Sequence, residues 1–212
     1  SVTIGADGAI AGQDLQGGVG DDTFTLNDGA TTTGAIDGGS DADTLSFGTY
    51  VTARNIALTA AGTDGFDGTE AAVGGGFADI DVLTGGAAST DVLTGLAAQN
   101  ALWTLDTANV YEELGGNQEL TFSDVETLAG GGAVADTFRF EAGVSESFTL
   151  TGNGGTNVVD GSQGIDAFVV SSVDGGSVTV NGQTSSFTSV GTLNGRDGAD
   201  SFSIGNSGTL NG

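Results

Sequence analysis

The sequence predicts an all-β protein, a parallel β-helix (β-solenoid) with coils of about 21 residues. One observation behind this is a short motif that recurs along the chain: an apolar residue, a glycine turn, an Asp or Asn, and a large apolar residue. Another is its spacing, because Asp22 and Asp43, like Asp136 and Asn157, lie 21 positions apart. The third is composition, since 40 glycines and no proline accompany a hydrophobic fraction of 37%, which is enough for a core.

We call the recurring unit the corner motif. Glycine admits positive φ and a close backbone approach, and an Asp or Asn side chain can accept hydrogen bonds from turn N–H groups. Each copy therefore predicts a strand end, a glycine corner, a closing Asp or Asn, and the start of the next strand. The copies span residues 15–24, 36–45, 83–93, 128–138, 150–159, 159–168 and 193–202. The residues predicted to form corners are Gly17, Gly18, Gly20, Asp22, Gly38, Gly39, Asp43, Gly85, Gly86, Asp91, Gly130, Gly131, Asp136, Gly161, Gly164, Asp166, Gly195, Gly198 and Asp200.

The large apolar residue after each corner should point inward, because alternate side chains of a strand face the same side. Phe24, Phe138, Phe168 and Phe202 share this position and are predicted to form one stacked core column. Since composition shows no linker, we expect residues 1–212 to form a single continuous solenoid segment. About ten coils stacked at strand spacing would make a rod on the order of 50 Å long.

A longer pattern, F-x-x-[IV]-x-x-L-x-G, begins at Phe77, Phe122 and Phe187. Its apolar residues are spaced by three, which predicts an inward Phe, a bend, and a strand ending in a glycine corner. Residues 95–119 are the least regular. There we expect a helical turn followed by a strand at Trp103, and a protruding loop around Tyr111.

Residues 1–12 (SVTIGADGAIAG) align with residues 201–212 (SFSIGNSGTLNG) at an offset of 200. This alignment predicts one repeat module of about 200 residues in a longer fibre, with adjacent repeats or subunits of the same polymer as end-to-end partners. The alternative is that any two coils of a solenoid rich in Gly, Ser and Thr look alike. With neither an initiator Met nor a signal peptide, the chain is expected to be a processed or excised piece.

A formal net charge of −25 argues against nucleic acid and anionic membrane surfaces as partners. The sequence contains no apolar run long enough to span a bilayer, so no membrane insertion is expected. The absence of cysteine is compatible with secretion to a bacterial cell surface.

Catalytic chemistry has little support, because the chain lacks His, Cys and Lys. Carboxylate pairs such as Asp79 with Asp81, Asp64 with Asp67, or Glu112 with Glu113 are the remaining candidates for a polysaccharide-acting enzyme. A solvated acidic surface explains them better, so no catalytic residue is predicted.

Three other sets of residues carry expectations. Arg54, Arg139 and Arg196 are expected to pair with carboxylates. Trp103 and Tyr111 favour a buried anchor over a sugar-stacking platform for a glycan-binding module. The Thr-x-Thr pairs, such as Thr23 with Thr25, do not recur in one register along the sequence, which argues against an ice-binding array.

The repeats resemble the Gly- and Asp-rich β-helix repeats of giant bacterial surface adhesins, which include filamentous-haemagglutinin-like and RTX-like large secreted repeat proteins. The resemblance rests on residues 122–131 with Asp136 and Phe138, and on the equivalent stretch from Phe77. It implies a right-handed parallel β-helix that is secreted and acts as a non-catalytic fibre, adhesin stalk or surface layer.

Residues 17–25 also fit the calcium-binding nonapeptide G-G-x-G-x-D-x-U-x of RTX-like proteins. That resemblance implies Ca²⁺ at Asp22 and Asp43, and no other cofactor. The copies here lie about 21 residues apart and are imperfect, since Asp41 stands in place of a glycine. The favoured alternative is that these Asp side chains accept hydrogen bonds from turn N–H groups.

Overall fold

The computed structural model describes residues 1–211. In this range the chain forms strands and turns without any helix, so the predicted all-β class is confirmed. The strands are β1 Val2–Ile4, β2 Ala9–Ile10, β3 Leu15–Val19, β4 Thr23–Leu26, β5 Thr31–Thr32, β6 Ile36–Ser40, β7 Thr44–Ser46, β8 Asn55–Ala61, β9 Phe66–Glu70, β10 Val73–Ile80, β11 Val82–Thr84, β12 Val92–Thr94, β13 Ala101–Leu105, β14 Asn109–Glu113, β15 Glu119–Ser123, β16 Thr127–Ala129, β17 Asp136–Phe140, β18 Thr149–Thr151, β19 Val158–Asp160, β20 Ala167–Ser172, β21 Gly175–Val180, β22 Gln183–Thr188, β23 Thr192–Asn194 and β24 Ser201–Ile204.

The chain divides into two compact units, and each is described by itself. The first unit comprises residues 1–94 and 115–126, and the second comprises residues 95–114 and 127–212. The prediction of a single continuous solenoid stays a prediction.

One sheet of the first unit is entirely parallel, in the order β1-β4-β7-β11-β15. Its inward column runs Val2, Phe24, Leu45, Leu83 and Phe122, each paired with the next. The last four are fully buried and form the spine of the core. The first two pairs have sequence offsets of 22 and 21, and the next two have offsets of 38 and 39.

The other sheet of the first unit explains the offset of 38 between β7 and β11. Its order is β2-β5-β10-β9-β8-β12, and β3 and β6 join it through β10. The strands β8, β9 and β10 pair antiparallel, whereas the other pairs are parallel. The additional residues between β7 and β11 therefore form a meander within the sheet.

The second unit repeats this plan. One sheet runs β14-β13-β17-β19-β23, in which only the β13–β14 pair is antiparallel among the described pairs. The other runs β16-β18-β22-β21-β20-β24, with an antiparallel meander of β20, β21 and β22. Antiparallel pairs were not predicted, so the sheets are mixed rather than purely parallel.

Residues 95–119 differ from the prediction. They contain the hairpin of β13 and β14 in place of a helical turn and a protruding loop. Trp103 and Tyr111 are fully buried, with ring centroids 4.6 Å apart, and the Tyr111 hydroxyl accepts the N–H of Leu96 at 2.9 Å. The buried-anchor interpretation is confirmed, and no sugar-stacking platform forms from these rings.

The four phenylalanines after corners do not form one column. Phe24 pairs with Val2 and Leu45, and Phe138 pairs with Trp103 and Val159. Among the four, the described pairs join Phe168 with Phe202, whose rings stack at 4.7 Å. The prediction of one column was wrong because the residues that follow corners are divided between the two sheets of each unit.

The bend predicted from F-x-x-[IV]-x-x-L-x-G is confirmed. Its third residue has a positive φ in all three copies: 50° at Asp79, 53° at Asp124 and 56° at Ser189. The preceding phenylalanines are buried. Asp and Ser tolerate this backbone region because a short polar side chain can hydrogen-bond locally.

Candidate functional site

The corner motifs bring the predicted residues into repeated contacts that we treat as the candidate site. Three corner glycines lie against the backbone carbonyl oxygen of a residue with positive φ. The pairs are Gly38 with Asp79, Gly85 with Asp124, and Gly152 with Ser189. A Cβ on Gly85 would fall well inside van der Waals contact with the carbonyl oxygen of Asp124, and Ser189 stands in the same relation to Gly152. Stacking of one corner on the next bend therefore requires glycine.

Positive φ explains only part of the predicted glycine set. Gly18, Gly20, Gly39 and Gly198 have φ between 87° and 119°. The remaining corner glycines have no positive φ, and an added Cβ would meet a carbonyl oxygen, the closing carboxylate or a serine hydroxyl. These are Gly17, Gly38, Gly85, Gly86, Gly130, Gly131, Gly161, Gly164 and Gly195.

The acidic residue of a corner closes its own turn. The N–H of Gly86 donates to Oδ2 of Asp91, and the N–H of Gly131 donates to Oδ2 of Asp136 at 2.9 Å. The N–H of Ser162 donates likewise to Asp166 at 2.7 Å. Each contact satisfies a backbone donor that the turn would otherwise leave unpaired.

A side-chain oxygen of an Asp or Asn also accepts the backbone N–H of an Asp in a neighbouring corner. In the first unit, Asp22 N–H donates to Oδ1 of Asp43 at 2.7 Å, and Asp43 N–H donates to Oδ2 of Asp81 at 2.9 Å. We call Asp22, Asp43 and Asp81 the first ladder. In the second unit, Asp136 N–H donates to Oδ1 of Asn157 at 2.9 Å, and we call this pair the second ladder.

In two further contacts a carboxylate accepts the backbone N–H of a corner Asp. Asp91 N–H donates to Glu126 at 2.8 Å, and Asp166 N–H donates to Asp200 at 3.0 Å. Sequence reasoning missed Asp81 and Glu126, which lie outside the glycine turns. The signal that would have found them is an acidic residue directly before a strand such as Val82–Thr84 or Thr127–Ala129.

Burial raises the pKa of several of these carboxyl groups. It raises the pKa of Asp136 to about 6, because the buried charge is desolvated. Desolvation also raises the pKa of Asp43, Asp81 and Asp166. One oxygen each of Asp43 and Asp136 is buried without a hydrogen-bond partner, so the charged form gains little compensation there.

Asp22 and Asp43, where Ca²⁺ is predicted, already have hydrogen-bond partners. Oδ1 of Asp22 accepts a hydrogen bond from the amino group of Ser1 at 3.1 Å, and Oδ1 of Asp43 accepts one from the backbone N–H of Asp22. Ca²⁺ takes six to eight oxygen ligands, and residues 1–211 contain no group of three or more acidic, His or Cys side chains that could hold a metal. Of the oxygens that the motif would offer to calcium, Oδ1 of Asp43 is therefore engaged with the backbone, whereas Oδ2 of Asp43 has no hydrogen-bond partner.

The carboxylate pairs considered for catalysis also bind backbone groups. Asp79 accepts the N–H of Asp64 at 2.9 Å, and Asp67 accepts the N–H of Asp79 at 3.2 Å. Glu112 and Glu113 are consecutive on β14, so their side chains point to opposite faces of the strand. None of these contacts presents two free carboxylates to a common substrate position.

The three arginines form the expected ion pairs. Arg54 pairs with Glu70 at 3.1 Å, Arg139 with Asp160 at 3.2 Å, and Arg196 with Glu141 at 2.9 Å. That prediction is confirmed.

Outward hydroxyl side chains line the parallel sheet of the first unit, which sequence reasoning did not expect. Register places Thr25, Ser46, Thr84 and Ser123 in one column. A second column contains Thr23, Thr44, Val82 and Thr121. The alignment was not visible in the sequence because other strands lie between β7 and β11 and between β11 and β15 along the chain.

No family model matches the chain, and no significant match was found among curated proteins or solved structures. Across residues 1–211, no helix is long and apolar enough to cross a membrane.

Proposed function

We propose that the chain is a non-catalytic structural segment of a secreted bacterial fibre, adhesin stalk or surface layer, wound as a right-handed parallel β-helix. The observation that carries this proposal is the ladder of Asp and Asn contacts, in which the recurring acceptor side chain of a corner joins one strand level to the next. Parallel pairing at offsets of 21 and 22 fits one coil, and offsets of 34 to 41 fit a coil that contains a hairpin or meander.

The absence of His, Cys and Lys from the sequence supports a structural role, and so do the backbone contacts of the acidic pairs. Electron microscopy of the native material in negative stain tests the proposal. Extended fibres or a continuous layer are expected, whereas compact isolated particles alone would contradict it. Turnover of polysaccharide substrates by the purified chain would instead favour a β-helix enzyme.

Calcium binding remains the alternative for the corner residues, and the nonapeptide at residues 17–25 is the observation that favours it. Calorimetric titration with CaCl₂, with melting in the presence and absence of chelator, separates the two functions. Under the structural proposal, neither heat of binding nor a chelator-dependent shift is expected. Glycan binding would need a surface other than the buried rings of Trp103 and Tyr111.

Ice binding is a second candidate function, favoured by the two hydroxyl columns on the first unit's parallel sheet. Neighbouring strands in a sheet lie about 4.8 Å apart, and residues i and i+2 project from the same face, so the hydroxyl groups form a grid that only Val82 interrupts within these two columns. Thermal hysteresis that is lost in Thr84→Lys, which breaks the grid, would support this function. Growth of ice without hysteresis would remove it.

A further inference from the structure

One face of a sheet in the second unit carries hydroxyl groups and no charged group. The strands β16, β18, β22, β21 and β20 follow one another across this sheet, and their residues include no Asp, Glu, Arg, Lys or His. Buried apolar residues such as Leu150, Val178 and Phe187 point inward from these strands, so the residues beside them in sequence point outward. We call the outward side chains of these five strands the uncharged face.

The central row of the uncharged face crosses all five strands. Register pairs Thr127 with Thr149, Thr149 with Ser186, Ser186 with Ser177, and Ser177 with Val169. Thr149, Ser186 and Val169 are exposed, and Oγ of Ser186 lies 3.5 Å from Oγ1 of Thr149. Since neighbouring strands lie about 4.8 Å apart, the row extends over about 20 Å. It therefore offers four hydroxyl groups in succession to an extended ligand.

Two further hydroxyl pairs flank the central row. Oγ1 of Thr179 and Oγ1 of Thr184 lie 2.9 Å apart on one side, and Oγ1 of Thr188 lies 3.5 Å from Oγ1 of Thr151 on the other. A hydroxyl group has one donor and two acceptor positions, so a pair that shares one hydrogen bond keeps one donor and three acceptors. The uncharged face therefore presents both donors and acceptors to a ligand.

The charged groups of the second unit lie away from this face or are engaged. The other sheet of the unit carries the ion pair of Arg139 with Asp160 at 3.2 Å. Two carboxylates adjoin β20 along the chain, and both accept a backbone N–H: Asp166 at 2.7 Å and Asp174 at 2.6 Å. A charged ligand would find no counter-ion among the side chains of the face, and an anionic ligand would be repelled by the net charge of −25. The face therefore suits an uncharged ligand.

The composition of the face favours a ligand rich in hydroxyl groups over a protein partner. Val169, which is 41% exposed, is the only large apolar side chain exposed on the five strands. Protein interfaces depend on aromatic or large apolar anchors at their centre, which this face does not offer. A neutral polysaccharide presents many hydrogen-bond donors and acceptors and needs no counter-ion.

Ice fits this face less well than it fits the parallel sheet of the first unit. The strands β20, β21 and β22 pair antiparallel, so the distances between opposite residues alternate between about 4.5 and 5.5 Å. The register of β20 and β21 also shifts between Val170 and Ser172. A crystal lattice cannot follow such alternation, whereas a polysaccharide chain can adjust by rotation about its glycosidic bonds.

We propose that the uncharged face binds a neutral polysaccharide, whose hydroxyl groups exchange hydrogen bonds with Thr149, Ser186 and the threonine pairs beside them. The inference goes beyond the proposed structural role and needs no fibre, because the face lies within the second unit of one chain. It gives glycan binding a surface other than the buried rings of Trp103 and Tyr111.

Native gel electrophoresis of the purified chain, in gels cast with and without a soluble polysaccharide, tests this inference. The net charge of −25 drives the chain toward the anode, and binding to the immobile polymer slows it. Dextran, glucomannan and xyloglucan are the neutral probes, and alginate is the anionic probe. We expect retardation by at least one neutral probe and none by alginate. Absence of retardation by all three neutral probes, or retardation by alginate, would overturn the inference.

A charge placed in the central row locates the binding surface. Ser186→Glu should lower the association constant at least about tenfold, because its carboxylate would lose water beside the ligand without a counter-ion. Thr192→Glu is the matched control, because Thr192 is exposed on β23 in the other sheet of the unit and both variants have the same net charge. The control should bind like wild type. Equal weakening in both variants would show that net charge controls binding, and the assignment to this face would fail.

A second variant removes hydroxyl groups without adding charge. Thr149→Val combined with Thr188→Val keeps the shape of both side chains and should weaken binding at least about threefold through the lost hydrogen bonds. It also provides the test if circular dichroism shows Ser186→Glu to be unfolded. Unchanged binding by the folded double variant would contradict the role of the hydroxyl rows.

Two other outcomes separate this inference from the functions proposed above. Thermal hysteresis that is lost in Ser186→Glu but kept in Thr84→Lys would assign the uncharged face to ice and overturn polysaccharide binding. Compact particles alone in negative stain would remove the fibre proposal, yet retardation of single chains by a neutral polysaccharide would still support the binding face.

Discussion

The two ladders make the same backbone contact with different chemistry. In the first ladder, carboxylates of Asp43 and Asp81 accept the N–H of the preceding corner. In the second, the acceptor is the amide oxygen of Asn157, whose Nδ2 also donates to the carbonyl oxygens of Gly154 at 2.6 Å and Ser189 at 3.1 Å. A carboxylate cannot donate, so an amide is needed where the closing side chain faces carbonyl groups.

The difference teaches that the acceptor oxygen is the shared requirement of a corner, and charge is not. Asp43 is buried among Asp21, Asp22 and Asp64, whose charges add to the effect of burial on its pKa. Asn157 carries no charge and has partners for both ends of its amide. Asn157 is therefore better satisfied by hydrogen bonds than Asp43, which accepts the equivalent N–H in the first ladder.

We expect the largest loss of stability when a corner glycine is replaced by alanine. The loss should be the same in both units. Gly85→Ala and Gly152→Ala each place a methyl group against a bend carbonyl, at Asp124 and Ser189. Each should lower the free energy of unfolding by about 3 kcal/mol. Urea unfolding followed by circular dichroism measures this effect.

The matched control is Gly48→Ala, whose added Cβ would meet only ordinary van der Waals neighbours beyond 3.5 Å. It should stay within about 0.5 kcal/mol of wild type. Equal stability of Gly85→Ala and Gly48→Ala would show that the corners can relax, and the stacking argument would fail.

Asn157→Asp should be the next largest effect. The new carboxylate would face the carbonyl oxygens of Gly154 and Ser189, with the loss of two donated hydrogen bonds. We expect a destabilisation of about 2 kcal/mol at neutral pH, and less at pH 5, where protonation restores a donor. Fluorescence of Trp103, the only tryptophan in the sequence and buried in the second unit, reports unfolding there.

Asn206→Asp introduces the same charge at an exposed position of the second unit and serves as the control. If both variants lose the same stability, added charge rather than the lost amide contacts would be responsible.

The pH dependence of the second unit should be dominated by Asp136. Its pKa is raised to about 6 in the folded state, above the ordinary value of 3.8, so the folded state binds more protons than the unfolded state between these values. The free energy of unfolding should therefore rise as pH falls, by about 1 kcal/mol between pH 7 and pH 5 from this group.

Asp136→Asn keeps an acceptor oxygen but removes the titration, so its stability should change less over the same range. Urea unfolding at the two pH values, monitored through Trp103, makes the comparison. An identical pH dependence in wild type and variant would mean that other acidic residues govern it; Asp43, Asp81 and Asp166 shift in the same direction.

Asp43→Asn should have the smallest effect, and it tests the comparison of ladders directly. The amide keeps an oxygen for the N–H of Asp22 and removes a buried charge, so stability should stay within about 1 kcal/mol of wild type or increase. Asp43→Ala removes the acceptor and should be less stable than Asp43→Asn. The reverse order would show that the carboxylate charge, and not the acceptor, maintains the first ladder.

Local chemistry made part of the fold predictable. The positive-φ bends at Asp79, Asp124 and Ser189 follow from a pattern of nine residues. The meanders were not predicted, because their strands, such as β9, pair with neighbours whose identity depends on how the chain folds back. Burial of Trp103 and Tyr111 was only one of two readings of an irregular stretch, since aromatic residues suit a core and a binding surface equally well.

By itself, the sequence determined the strand content, the corners, the bends and the pairing of the arginines, because each depends on a few neighbouring residues or on a large excess of carboxylates. The tertiary structure alone decided which strands are neighbours, and so whether Thr25 lies beside Ser46 and Ser46 beside Thr84. It also decided that Asp81 and Glu126 join the corner contacts. The physical reason is that parallel strand pairing joins residues 21 to 41 positions apart, and the residues between them can form a meander without disturbing either partner.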